Sequence, residues 1–212
     1  MEELIEKISK TGIVPVVKLD KAEYAIPLSN ALKKGGLCCA EVTFRTSAAE
    51  EAIRLIHKTH PDFLLAAGTV LNTSQADKAM AAGAAFIVSP GFNPQVVKHC
   101  INKGYPVIPG VCTPSEVEAA LSLGLKYLKF FPAEAFGGIK TIKALSAPYT
   151  TVKFMPTGGI NPTNVADYLN CKAVFACGGS WMVPADKIAE GKFDEIENIT
   201  RKAVEILKEN NR

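Results

Sequence analysis

Eight short runs rich in β-branched and aromatic residues recur along the chain, separated by segments whose apolar residues repeat at helical spacing. The runs are IVPVVK (13–18), CAEVTF (39–44), FLLAAG (63–68), AFIVSP (85–90), YPVIPG (105–110), YLKFF (127–131), VKFMPT (152–157) and AVFACG (173–178). Strand alternating with helix leaves a parallel sheet as the way to bury each strand. Eight such units in 212 residues predict a single (β/α)8 TIM barrel spanning 1–212, since about 200 residues is the lower size for that fold. The competing architecture is an open doubly wound sheet, but no GxGxxG turn follows the first run. No linker, composition shift or low-complexity segment marks a second domain.

The intervening segments carry helix signals. MEELIEKISK predicts an amphipathic N-terminal helix with Leu4, Ile5 and Ile8 on one side. AEYAIPLSNALKKGG ends in glycines, and TSAAEEAIRLIHKTH opens on a Thr/Ser cap. NTSQADKAMAAGA repeats the cap-then-glycine pattern, and TPSEVEAALSLGL opens on a capping-box signal. MEELIEKISK does not have the pattern of a signal peptide, and no apolar run reaches membrane-spanning length. The net charge of +3 is not concentrated in any Lys/Arg run, which argues against nucleic-acid or membrane-surface partners. Six cysteines include no C-x-x-C pair, and Cys38 and Cys39 are adjacent. This is thiol usage for a reducing compartment, so a cytoplasmic protein is expected.

In a barrel of this kind, chemistry sits where strands end and the following loops begin. The second strand ends EVTFR, so Glu41, Thr43 and Arg45 share one face under period-two alternation. The third ends at Thr69 and the fourth at Pro90. The sixth carries Lys129, with Tyr127 and Phe131 on the same face. The seventh and eighth end in MPTGG and CGGS. Gly158, Gly159 and Gly179 let backbone N–H groups approach an anion, and Ser180 adds a hydroxyl. Singly, such glycines are turn residues; together, at consecutive strand ends, they predict a phosphate site.

Lys129 stands alone in an apolar run. One reading is a structural ion pair with Glu41, because buried charges are paired. The other is a Schiff-base lysine. An amine must be neutral to attack a carbonyl, and an apolar strand disfavours the ammonium, whereas Glu41 favours it. Arg45 makes either a surface salt bridge or a bidentate contact to a ligand carboxylate, and its place beyond Thr43 favours the second. Lys18 is read equally as an anion contact or a solvated rim charge. His57, His60 and His99 lie in or beside helices with no third ligand nearby. No Asp/Glu/His cluster sits at a strand end, so neither metal nor cofactor is expected. Trp181 and Met182 read as packing residues.

EVTFRT, AAGTVLN, IVSPGFNP, LKFFPAE, PTGGI and GGSWMVPAD, in this order and across nearly the whole chain, resemble the class I 2-keto-3-deoxy-6-phosphogluconate (KDPG) and 4-hydroxy-2-oxoglutarate (KHG) aldolases. The resemblance implies a (β/α)8 barrel, usually a homotrimer, acting on a small phosphorylated 2-keto acid without metal. It matches Lys129 to the Schiff-base lysine and Glu41 to the general acid/base. It matches Arg45 and Thr69 to the pyruvate-carboxylate contacts, and Gly158, Gly159 and Ser180 to the phosphate site. Pro90 and Phe131 match apolar walls. Relatives often carry arginine where this chain has Lys18. Aldolases for the galacto epimer share the same lysine chemistry. A phosphate-binding isomerase barrel or a non-catalytic metabolite-binding barrel would each leave the Glu41–Lys129–Arg45 set without a purpose.

Overall fold

The structure is a computed structural model and describes residues 1–209. An N-terminal helix α1 (Glu2–Thr11) leads into an alternation of parallel strands and helices. The strands are β1 (Ile13–Val17), β2 (Cys39–Thr43), β3 (Leu64–Gly68), β4 (Phe86–Val88), β5 (Val107–Ile108), β6 (Gly110–Val111), β7 (Tyr127–Phe130), β8 (Lys153–Pro156) and β9 (Cys177–Gly179). After α1, the helices are α2 (Ala25–Gly35), α3 (Ala49–Thr59), α4 (Thr73–Ala81), α5 (Pro94–Lys103), α6 (Pro114–Ser122), α7 (Gly138–Ser146), α8 (Val165–Leu169), α9 (Ala185–Ala189) and α10 (Phe193–Glu209).

Strand neighbours run β5-β4-β3-β2-β1-β9 in one set and β6-β7-β8 in the other. Each strand from β2 to β5 lies beside its predecessor, so there is no reversal of order of the kind a doubly wound sheet requires. The sheet curls instead. Only Pro109 separates β5 from β6. A proline has no N–H to give the ladder, which divides the expected fifth strand in two. The expected eighth strand also shortens. Residues 173–176 touch the sheet through the bridge Phe154↔Val174, and regular pairing begins only at Cys177, opposite Ile13. A second bridge, Thr157↔Gly178, ties the end of β8 to β9.

Inside the curl, alternation places Val14, Ala66, Phe86, Val88, Ile108, Met155 and Phe175 in one apolar cluster. Ile5 and Ile8 of α1 join it from the N-terminal side. That explains the amphipathic pattern of the first ten residues: each isoleucine withdrawn from water contributes about 1.5–3 kcal/mol. A larger cluster fills the layer between the sheet and the outer helices.

The capping signals resolve individually. Thr113 and Glu116 form a reciprocal capping box on α6, and Asn72 caps α4 by accepting from the Gln75 N–H. The expected Thr/Ser cap on α3 does not form. The N-cap there is Ala48, and the Thr46 hydroxyl donates instead to the Leu19 carbonyl beyond β1.

Candidate active site

Strand register decides which side chains meet. Val16 pairs with Glu41, Glu41 with Ala66, and Ala66 with Phe86. On the facing strands Gly110 pairs with Lys129, and Lys129 with Met155. The two charged side chains therefore reach each other across the interior. Lys129 Nζ lies 3.1 Å from Glu41 Oε1 and 3.3 Å from Oε2. Their side chains are 5% and 1% exposed. The same ammonium stands 5.3 Å from the centroid of the Phe131 ring, within cation–π range.

The space for Glu41 comes from a residue that the strand-end reading passed over. A Cβ on Gly68 would meet Glu41 Oε1 at 2.1 Å. Any side chain there would expel the carboxylate. The next residue, Thr69, has φ 55, the only positive φ among the non-glycine residues described. A β-branched residue in the left-handed region is strained by about 1–3 kcal/mol, and such strain collects at functional sites.

Above the pair, a cavity of about 150 Å³ opens at the C-terminal ends of the strands. Val16, Arg45, Phe131, Thr157, Gly158, Gly159, Ile160, Gly179 and Ser180 line it. Sequence reasoning named six of these nine residues. Arg45 is exposed, and its Nε donates to the Thr43 hydroxyl oxygen at 3.2 Å; that hydroxyl in turn donates to the Val17 carbonyl at 2.8 Å. The guanidinium is thereby steadied with its terminal nitrogens free of any ion pair among the described residues.

Pro90 does not line this space. It borders a separate cavity of about 400 Å³ with Val70, Leu71, Ser89, Gly91, Phe92, Asn93 and Glu116. Thr69 also stands outside the smaller cavity's lining. Lys18 is exposed and pairs with Asp20 at 2.7 Å, which favours the rim-charge reading. Among the described residues no group of three His, Cys, Asp or Glu side chains is placed to hold a metal ion.

Thr157 is the main residue that the sequence reading missed. Its side chain is buried, its hydroxyl has no hydrogen-bond partner, and it lines the small cavity. A buried hydroxyl without a partner costs free energy unless something arrives to bind it. Beside the glycine loop, Tyr168 donates to the Glu134 carboxylate. Burial first, and then this bond, push the phenol above its usual range, so it stays protonated. Glu134 packs on the loop itself: its Cγ stands where a Gly159 side chain would begin.

Comparison with known proteins adds a family to this geometry. The aldolase family model described as KDPG and KHG aldolase matches residues 4–199. A 2-dehydro-3-deoxy-phosphogluconate aldolase of Treponema pallidum is 50% identical over 204 residues, covering 96% of this chain and 97% of that protein. The crystal structure of KDPG aldolase from Legionella pneumophila, with pyruvate captured as a covalent carbinolamine intermediate, superimposes with a TM-score of 0.91 at 39% identity, covering 94% of this chain and 97% of that one. The KDPG aldolase of Zymomonas mobilis with 3-phosphoglycerate gives a TM-score of 0.86 at 39% identity, covering 94% of both chains.

Proposed function

The chain belongs to the KDPG and KHG aldolase family, and on that premise we propose how its residues divide the work. The protein is a lyase: a class I aldolase that cleaves 2-keto-3-deoxy-6-phosphogluconate into pyruvate and glyceraldehyde 3-phosphate through a Schiff base. We infer that 4-hydroxy-2-oxoglutarate, which offers the same reacting carbons without the phosphate, is split to pyruvate and glyoxylate by the same route.

The observation that carries the assignment of roles is the buried contact between Lys129 and Glu41. Moving one proton from Nζ to the carboxylate turns the ion pair into a free amine beside a carboxylic acid. The amine adds to the C2 ketone, and the acid returns its proton to the carbinolamine oxygen as water leaves. The resulting iminium accepts the electron pair of the C3–C4 bond while Glu41, through a water, takes the proton of the C4 hydroxyl. The aldehyde departs, the enamine is protonated at C3, and hydrolysis frees pyruvate and restores Lys129. Arg45 receives the substrate carboxylate, and Phe131 forms an apolar wall of the small cavity. Thr69 as a second carboxylate contact and Pro90 as a second wall rest on the family resemblance alone, since neither lines that cavity. Gly158, Gly159, Gly179 and Ser180 hold the phosphate. No metal or cofactor is required by any of these steps.

The closed eight-stranded (β/α)8 barrel is part of this reading. The β1–β9 pairing, the bridges from β8 towards β9, and the continuity of β5 and β6 through Pro109 support it. We propose a cytoplasmic homotrimer, as the family resemblance implies; no helix among the described residues is long and apolar enough to cross a membrane. Exposed Leu71 and Phe136 offer apolar surface for a subunit contact.

Borohydride added with pyruvate tests the assignment. It should inactivate the protein and leave a reduced pyruvyl adduct on Lys129, detected by mass spectrometry of its peptide. Labelling of a different lysine, or none, would overturn it.

A further inference from the structure

The loop after β8 contains two successive carbonyls held from outside the cavity. The Glu134 N–H donates to the Gly158 carbonyl at 3.0 Å. The Gly159 carbonyl accepts two side-chain amides, Asn161 Nδ2 at 3.1 Å and Asn164 Nδ2 at 3.0 Å. These asparagines are themselves fixed. Asn164 Oδ1 accepts the Asn161 N–H at 2.9 Å, and Asn161 Oδ1 accepts the Thr163 N–H at 2.8 Å and its hydroxyl at 2.6 Å.

Asn161 caps the turn that leads into α8: the Val165 N–H donates to the Asn161 carbonyl at 3.0 Å, Asn161 Oδ1 accepts the Thr163 N–H, and Asn164 Oδ1 accepts the Asn161 N–H in return. This reciprocal cap occupies both amide oxygens and leaves both amide nitrogens to reach back to the Gly159 carbonyl.

In a trans peptide the carbonyl and the following N–H point in opposite directions. Anchoring the Gly158 and Gly159 carbonyls therefore fixes the directions of the Gly159 and Ile160 N–H groups. Neither N–H has a backbone or side-chain acceptor among the described residues, and both residues line the small cavity. The anchoring matters because Gly158 and Gly159 have φ of 100° and 83° and no side chains to restrict them. Peptides flanked by glycines turn over easily, and a flipped one would aim a carbonyl oxygen at an incoming anion.

We propose that Asn161 and Asn164 are positioning residues for the anion-bearing half of the substrate. Their amides hold the Gly159–Ile160 peptide with its N–H towards the cavity. They thereby set affinity for the phosphorylated keto acid without touching it. The inference rests on the reading of this loop as the phosphate site.

The test compares KDPG with 4-hydroxy-2-oxoglutarate in Asn161→Ala, Asn164→Ala and the double variant. Either amide alone still holds the carbonyl, so each single variant should raise KM for KDPG only two- to threefold. The double variant should raise it about tenfold or more, beyond the product expected for independent sites. Turnover of KDPG, and both constants for 4-hydroxy-2-oxoglutarate, should stay within about twofold of wild type. A parallel loss on both substrates, or an unchanged KM in the double variant, overturns the proposal. If the double variant does not fold, amide resonances decide. Inorganic phosphate should shift the Gly159 and Ile160 signals of the wild-type protein, and Asn164→Ala should need more phosphate for the same shift. Equal titrations overturn the proposal. Ser180→Ala separates the two readings, whereas a side chain at Gly159 would collide with Glu134 whatever the loop binds. If Ser180→Ala alone spoils KDPG selectively, the asparagine role falls and the phosphate loop stands; if it too affects both substrates equally, both fall.

Discussion

One lysine–carboxylate pair lies at the strand-end rim and another inside the sheet, and their distances rank them in the wrong order. Lys18 and Asp20 approach to 2.7 Å at the rim, with side chains 45% and 67% exposed. Lys129 and Glu41 stand at 3.1 Å in the interior, almost wholly withdrawn from water. At the rim, water screens the attraction and competes for both ions, so the shorter contact contributes little. In the interior, neither ion can be removed without leaving the other uncompensated, and a proton passing between them costs no separation of charge to solvent. Surroundings, more than separation, decide what a pair of charges can do. Those surroundings are the apolar layer below, in which Ile5 and Ile8 close the N-terminal side under Phe86, Met155 and Phe175.

Three substitutions test this contrast. Glu41→Gln should have the largest effect, because the amide can neither take nor return a proton. Exchange of pyruvate methyl protons in deuterated water needs the imine and enamine but no aldehyde. It should fall by about 10²–10⁴-fold. Exchange at the wild-type rate would reduce Glu41 to a counter-ion. Next, Ile8→Ala removes part of the floor beneath the pair. It should lower unfolding free energy by about 2–4 kcal/mol in a denaturant titration while the remaining folded protein keeps its turnover. A loss of turnover exceeding the loss of folded protein would mean that α1 also shapes the pair. Lys18→Met should do least: KM for KDPG and the melting temperature should both stay at wild-type values. A KM raised several-fold would restore the anion-contact reading of Lys18 and dissolve the contrast between rim and interior.

Much of this was legible in the sequence because it depends on local pattern. A lone lysine in YLKFF, a carboxylate two residues before Thr43, and paired glycines at strand ends are visible without knowing what faces them. The residues that escaped notice act across strands. Gly68 makes room for Glu41 only because β3 lies in register with β2, a pairing no single strand reveals. Thr157 resembled an ordinary strand-end threonine until its hydroxyl was found buried and unpartnered. Asn161 and Asn164 sit in what reads as a turn, and their target is a carbonyl up to five residues back. Thr46 failed in the opposite direction. Its local signal was a cap, but a carbonyl beyond β1 claimed the hydroxyl first.

Thr69 carries a consequence for attempts to make this protein sturdier. At φ 55 its backbone occupies ground where glycine or asparagine would rest more comfortably. A library sorted only for heat resistance would therefore be drawn to this position, and each relaxed replacement would discard the side chain assigned to the substrate carboxylate. Directed evolution here should be scored on catalysis and endurance together, because a relaxed backbone and the proposed carboxylate contact cannot both be kept at position 69.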